Sequence, residues 1–90
     1  MELKDTIEKM TSPDYKERFI AEYQQTKIRY EKLKDFNNRI DAAQMTLGLS
    51  NAVAEPKHDC PSYLLKDQQR AMGEYLHFLE VRAVIEGIDL

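Results

Sequence analysis

The stretch SPDYKERFIAEYQQTKIRYEKLKDFNNRIDA, residues 12–42, decides the fold. Ser12 reads as a helix N-cap, Pro13 as the first helical position, and Asp14 as a charge that complements the helix dipole. Neither Gly nor Pro follows before residue 42. Phe19, Thr26, Leu33 and Ile40 fall in one row seven residues apart, and Tyr23, Tyr30 and Asn37 fall in a second. The alternating three- and four-residue spacing is the seam of a helix that pairs with another helix. Thr26 and Asn37 interrupt it with polar groups, which either fix the register or mark where the seam is wet. The pattern predicts one long helix over 13–42.

Outward from this stretch, Leu3, Ile7 and Met10 predict a short amphipathic helix over residues 1–10. Residues 43–61 are an irregular connection, punctuated by Gly48, Ser50, Asn51, Pro56 and Pro61. The apolar Met45, Leu47, Leu49 and Val53 leave room there for a short packed helix. Ser62 reads as the cap of a second long helix over 63–86, stopping near Gly87. Leu65, Met72 and Leu79 form one of its apolar rows, and Leu64, Ala71, Phe78 and Ile85 form the neighbouring one. Together they are wider than one seam needs. The expected core is Phe19, Tyr23, Tyr30, Leu33, Leu65, Met72, Leu79 and Ile85. The expected fold class is all-α: residues 1–90 as a single domain, an antiparallel hairpin of two long helices with short accessory helices. The second apolar row, Leu64/Ala71/Phe78/Ile85, predicts a homo-oligomer.

Composition narrows the function. The 90 residues are 42% hydrophobic and 32% charged, too apolar for a disordered chain and too charged for a membrane protein. The net charge of −3 argues against a general nucleic-acid binder. Residues 1–40 carry nine basic and eight acidic side chains, whereas residues 41–90 carry four and eight. Lys16, Lys57 and Lys66 read as solvated charges. Cys60 is the only cysteine, which suits a reducing compartment. With no signal core at the N-terminus and no apolar run of spanning length, the expectation is a cytoplasmic protein with no membrane partner.

The chemistry-bearing residues are few. His58, Asp59 and Cys60 cluster in a loop, but zinc needs further ligands, and His77 stands alone on its helix. Cys60 has no oxyanion element beside it, and no phosphate-binding Gly loop, dinucleotide fingerprint or hydrolase elbow is present. The expectation is no enzyme, no cofactor and no metal. The informative polar set is Gln68, Tyr75 and Arg82, seven residues apart, which form one stripe beside the apolar rows. On the first helix Arg18, Glu22 and Arg29 flank the Phe19/Tyr23 seam. Guanidinium and aromatic groups together suit an anionic, aromatic ligand. The competing structural role is a helix-to-helix bridge of the Arg82–Glu22 type, with Tyr75 an amphipathic core residue.

The segment from Tyr15 to Tyr23 and on through Tyr30-Glu31-Lys32-Leu33 is similar to one half of a family signature. The segment from Leu64 to Leu76 and on through Leu79 and Arg82 is similar to the other half. Together they resemble a family of small helical proteins encoded by bacteriophages and prophages, named after a crAss-like phage gene product. The resemblance covers about half the chain and rests on the polar positions Arg18, Glu22, Gln68, Tyr75 and Arg82 within helical patterns. It implies a phage accessory protein that counters bacterial immunity in the cytoplasm of the host.

Two mechanisms follow from that role. In the first, the protein sequesters an anionic nucleotide signal of the cyclic or ADP-ribose type, with Arg18, Tyr23, Gln68, Tyr75 and Arg82 as the ligand-binding residues. In the second, it inhibits a host defence protein directly, as an anti-CRISPR does. The acidic second half (Asp59, Asp67, Glu74, Glu80, Glu86) would then meet a basic channel. A structural helical adaptor is the plainest alternative.

Overall fold

A computed structural model describes residues 1–90. The chain is all helical. A 3-10 turn over Leu3–Thr6 runs into a short helix α1 (Ile7–Met10), followed by the long helices α2 (Tyr15–Met45) and α3 (Ser62–Glu86). α2 and α3 pack as an antiparallel hairpin, and the N-terminal turn and α1 rest on α2. The body is elongated, 54 × 25 × 22 Å. The single chain carries the expected fold class, and its apolar row Leu64/Ala71/Phe78/Ile85 is left uncovered, with Phe78 63% and Ile85 78% exposed.

The caps sit slightly away from the predicted residues. Asp14, not Ser12, is the N-cap of α2: its carboxylate accepts from the Lys16 amide at 3.0 Å. Ser12 Oγ instead accepts from the Asp14 amide at 3.1 Å. A full carboxylate charge at the dipole end makes Asp14 the better cap, and Ser12 fixes it in place. α2 continues to Met45 rather than residue 42, because Ala42, Ala43, Gln44 and Met45 are good helix formers and nothing breaks the helix before Gly48. α3 takes Pro61 as its cap position and already includes Ser62.

The connection after α2 holds no packed helix. Thr46 closes the end of α2 through its hydroxyl, which donates to the Ala42 carbonyl at 2.7 Å and accepts from the Val53 amide at 3.0 Å. Leu47, Leu49 and Val53 point into solvent. Turn residues follow too quickly here for a helical turn to form against the hairpin. His58 is tied to its own loop, with Nδ1 donating to the Cys60 carbonyl at 2.7 Å and the ring edge-on to Phe36.

The main buried cluster lies where α2 begins and α3 ends, and Ile40 and Ala43 are buried separately toward the other end of α2. Phe19, Tyr23, Leu76, Leu79, Ala83 and Ile88 form one buried cluster, with Ile20 and Tyr30 packed against it. Gly87 turns the chain with φ +68°, and the Ile88 amide donates to the Ala83 carbonyl at 2.8 Å, which folds Ile88 back into the cluster. Ile85, expected in the core, is a correction. From Leu79 the inward seam steps to Ala83, while Ile85 lies about 120° around the helix. Leu76 and Ala83 hold the inner positions instead. Tyr30, Leu33, Leu65 and Met72 are half-buried, along the thinner part of the seam.

Candidate functional site

Polar side chains gather on two parts of the hairpin. The first surrounds the core end. Arg82 lies over the Phe19 ring, 5.0 Å from its centroid. Its Nη2 donates to the Tyr15 hydroxyl at 2.7 Å and its Nε to Glu86 Oε2 at 3.2 Å, and Tyr15 in turn donates to Glu86 Oε1 at 2.9 Å. The Tyr75 hydroxyl donates to Glu22 across the helices. Tyr23 donates to Glu80 Oε2 at 2.6 Å. Burial, then the bond to Glu80, pushes the Tyr23 phenol up to about 12. The carboxylate partners Glu86 and Glu22 likewise raise Tyr15 and Tyr75 above the ordinary phenol range.

The residues read from the sequence as ligand-binding thus have definite places. Arg82, Tyr75 and Tyr23 each bond to a partner within the chain. Arg18 donates through Nη1 to the Ser12 carbonyl at 2.8 Å, closing the entry to α2. Gln68 stands exposed on α3, about two turns from Tyr75. Tyr75 and Arg82 come together at the α2 interface, with Glu22 and Tyr15 as their acceptors. The bridge that forms is not Arg82 to Glu22 but Tyr75 to Glu22, with Arg82 reaching Tyr15 and Glu86.

The second polar region is an open groove of about 760 Å³ on the hairpin, toward the α2–α3 connection. From α2 it is lined by Tyr30, Asn37, Asn38 and Asp41, and from α3 chiefly by Lys66, Gln69, Arg70, Gly73, Glu74 and His77. Phe78 joins it to the uncovered apolar row. The volume falls in the range of small-molecule sites.

Its construction follows from residues that look like faults in the sequence pattern. Asn37 breaks the apolar seam of α2, yet it is 2% exposed. Its amide nitrogen donates to the Leu65 carbonyl at 3.1 Å and to Gln69 Oε1 at 2.9 Å, which sets the register of the two helices. Gly73 interrupts α3 because a Cβ there would come 3.2 Å from Tyr30 Cε1; the glycine lets the Tyr30 ring lie against the helix backbone. Lys66 is not simply solvated: its ammonium meets Asp41 at 2.6 Å across the helices. Arg70 is drawn to Asp67 at 3.3 Å on the surface. Two cations, two carboxylates (Asp41 and Glu74), an aromatic ring and fixed amides therefore share one concavity.

Sequence reasoning missed this groove because its members lie on both helices at positions that no single-helix period connects. Asn37 in the seam of α2 and the glycine Gly73 within α3 were the signals the sequence held.

Fold and site define a class: a small all-α hairpin protein with a polar groove of ligand size between its two helices. The family model described as Sequestin matches residues 13–85, nearly the whole span of the hairpin, and the chain belongs to the Sequestin family. That name is compatible with a sequestering role. No curated protein and no solved structure matches the chain. No helix is long and apolar enough to cross a membrane.

Proposed function

We propose that this protein is a non-enzymatic phage accessory protein that sequesters an anionic nucleotide signal of bacterial immunity. The observation that carries the reading is the family match across the hairpin together with the groove that the same residues build. The groove offers guanidinium and ammonium for phosphate and an aromatic ring for a base. Of the residues first read as ligand-binding, Arg18, Tyr23, Tyr75 and Arg82 border the other polar region and form a second candidate surface, whereas Gln68 stands apart on α3. There the internal bonds of Arg82 and Tyr75 would have to open to admit a ligand.

Self-association belongs to this reading. Leu64, Phe78 and Ile85 form an uncovered apolar row of the kind that marks an interface. Phe78 belongs both to that row and to the groove, so a second copy covering the row would also wall the groove. Phe78→Asp should then reduce the oligomer seen by light scattering and weaken ligand binding together.

The function is tested by mixing protein and candidate nucleotides, measuring loss of free nucleotide, and then denaturing the protein by heat. Sequestration predicts that the nucleotide disappears from solution and returns chemically intact. Release of a cleaved product would replace the reading with an enzymatic one. Absence of any uptake would favour the direct inhibition of a defence protein through the acidic second half of the chain.

A further inference from the structure

The uncovered row on α3 carries a size and charge pattern that selects its partner. Leu64, Ala71, Phe78 and Ile85 recur every seven residues on the exposed side of the helix, and Leu64 is 49% exposed. The row runs for about 32 Å, most of the length of α3. Its flanks are mainly polar. Asp67, Arg70 and Glu74 lie on the groove side, and Gln68, Tyr75 and Arg82 lie on the other. A narrow apolar row with wet margins suits one more helix laid along it.

The sizes along the row fix how that helix runs if it is another α3. A parallel pair sets like against like, with two Phe78 rings at one level and a gap between two Ala71 at the next. An antiparallel pair centred between Glu74 and Tyr75 sets Leu64 against Ile85 and Ala71 against Phe78, so the small side chain meets the large one. Sliding that pair by a heptad either way leaves Leu64 or Ile85 without a partner. It also returns Phe78 or Ala71 to face itself. The antiparallel arrangement opposes the two helix dipoles as well.

We propose, resting on the self-association reading above, that α3 pairs with α3 of a second copy in this antiparallel register, and that the second copy completes the rim of the groove. Antiparallel pairing brings each flank against its own counterpart. On the groove side, Arg70 of one copy then stands about 7 Å along the axis from Glu74 of the other, within reach of two long side chains, and the pair occurs twice by symmetry. Within one chain Arg70 meets only the partly exposed Asp67, at 3.3 Å, and Glu74 stands exposed. Arg70, Glu74 and Phe78 all line the groove, so the two grooves adjoin at the two-fold axis. On the far flank Gln68, which is distant from Arg82 in its own chain, comes level with Arg82 of the second copy.

The test is disulfide trapping of the full chain in a Cys60→Ser background, with single cysteines placed at exposed positions and mild oxidation. Glu74→Cys, beside the axis, should trap a dimer with itself. Leu64→Cys and Ile85→Cys should each stay untrapped alone, because each lies about 32 Å from its own counterpart, and should cross-link to one another when mixed. Parallel pairing gives the opposite result, with Leu64→Cys and Ile85→Cys each trapping itself. A charge exchange supplies the second arm. Arg70→Glu should weaken the dimer in sedimentation several-fold, and Arg70→Glu with Glu74→Arg should restore it. Trapping in any other pattern, or a double variant no better than the single one, overturns this register and leaves self-association standing. A monomer that traps at no position overturns self-association with it. Sequestration is decided separately, by the nucleotide-uptake measurement.

Discussion

The two parts of the hairpin are built from the same pair of helices and are chemically opposite. Where α2 begins and α3 ends, the seam is filled by Phe19, Tyr23, Leu76, Leu79, Ala83 and Ile88, and the tyrosines at its margin bond to carboxylates of the same chain. Toward the connection, the seam carries Asn37 and Gln69 beside the buried Ile40 and Ala43, while Leu33, Leu65 and Met72 are only half-buried and a groove opens. A 90-residue chain has a thin core, and here its largest buried cluster lies in one half. The other half is held by Ile40 and Ala43, register-setting amides and an ion pair, and its exposed polar groups, such as Arg70 and Glu74, are available to something outside the chain. Stability and recognition are separated along the length of one hairpin.

The largest effect that tests this division is at Leu79, which is 1% exposed. Leu79→Ala should cost about 2–5 kcal/mol in thermal or denaturant unfolding, while Leu65→Ala, in the half-buried part, should cost distinctly less. Equal losses at the two positions would mean that the core runs evenly along the hairpin.

Arg82→Ala should come next. It removes the bonds to Tyr15 and Glu86 and the contact with Phe19, but the side chain is half exposed, so the expected loss is clearly smaller than at Leu79. Nucleotide affinity should be retained if the groove is the site. Folding intact with binding abolished would instead assign the ligand to the Arg82 region.

Alkaline pH should separate the two regions as well. The Tyr23 phenol is raised in the folded protein from 10 to about 12. Its contribution to stability is therefore complete below pH 10 and lost as pH rises toward 12. The melting temperature should fall across that window, and Tyr23→Phe should flatten part of the fall. An unchanged slope in the variant would place the alkaline sensitivity elsewhere.

The smallest effects belong to exposed charges. Lys16→Ala and Lys57→Ala should stay within about 0.5 kcal/mol of the parent. Lys66→Ala, which breaks the partly exposed pair with Asp41, should cost no more than about 1 kcal/mol in unfolding while weakening nucleotide binding. A larger loss of stability at Lys66 would make it part of the scaffold.

The fold was legible because heptad spacing is a local property. The rows through Phe19 and Tyr23 on α2, and through Leu65 on α3, are visible within each helix alone. Which of two apolar rows on α3 turns inward was not legible, because Ile85 and Ala83 differ only by a rotation that the partner helix decides. The site was still less so. A polar stripe such as Gln68, Tyr75 and Arg82 stands out within one helix, but Arg82 and Tyr75 meet their partners on α2. The groove depends on Asn37 meeting Gln69 and Gly73 meeting Tyr30, pairings that exist only once the hairpin closes.

The most direct test of the division is a residue-by-residue one. Backbone amide shifts would be followed by nuclear magnetic resonance while ADP-ribose or an adenine cyclic dinucleotide is added. The account predicts that the largest changes fall on Tyr30, Asn37, Lys66, Gln69, Arg70 and Gly73, with Tyr15, Phe19 and Leu79 nearly still. Changes concentrated instead on Tyr15, Arg18, Tyr75 and Arg82 would contradict it and place recognition at the end assigned here to stability.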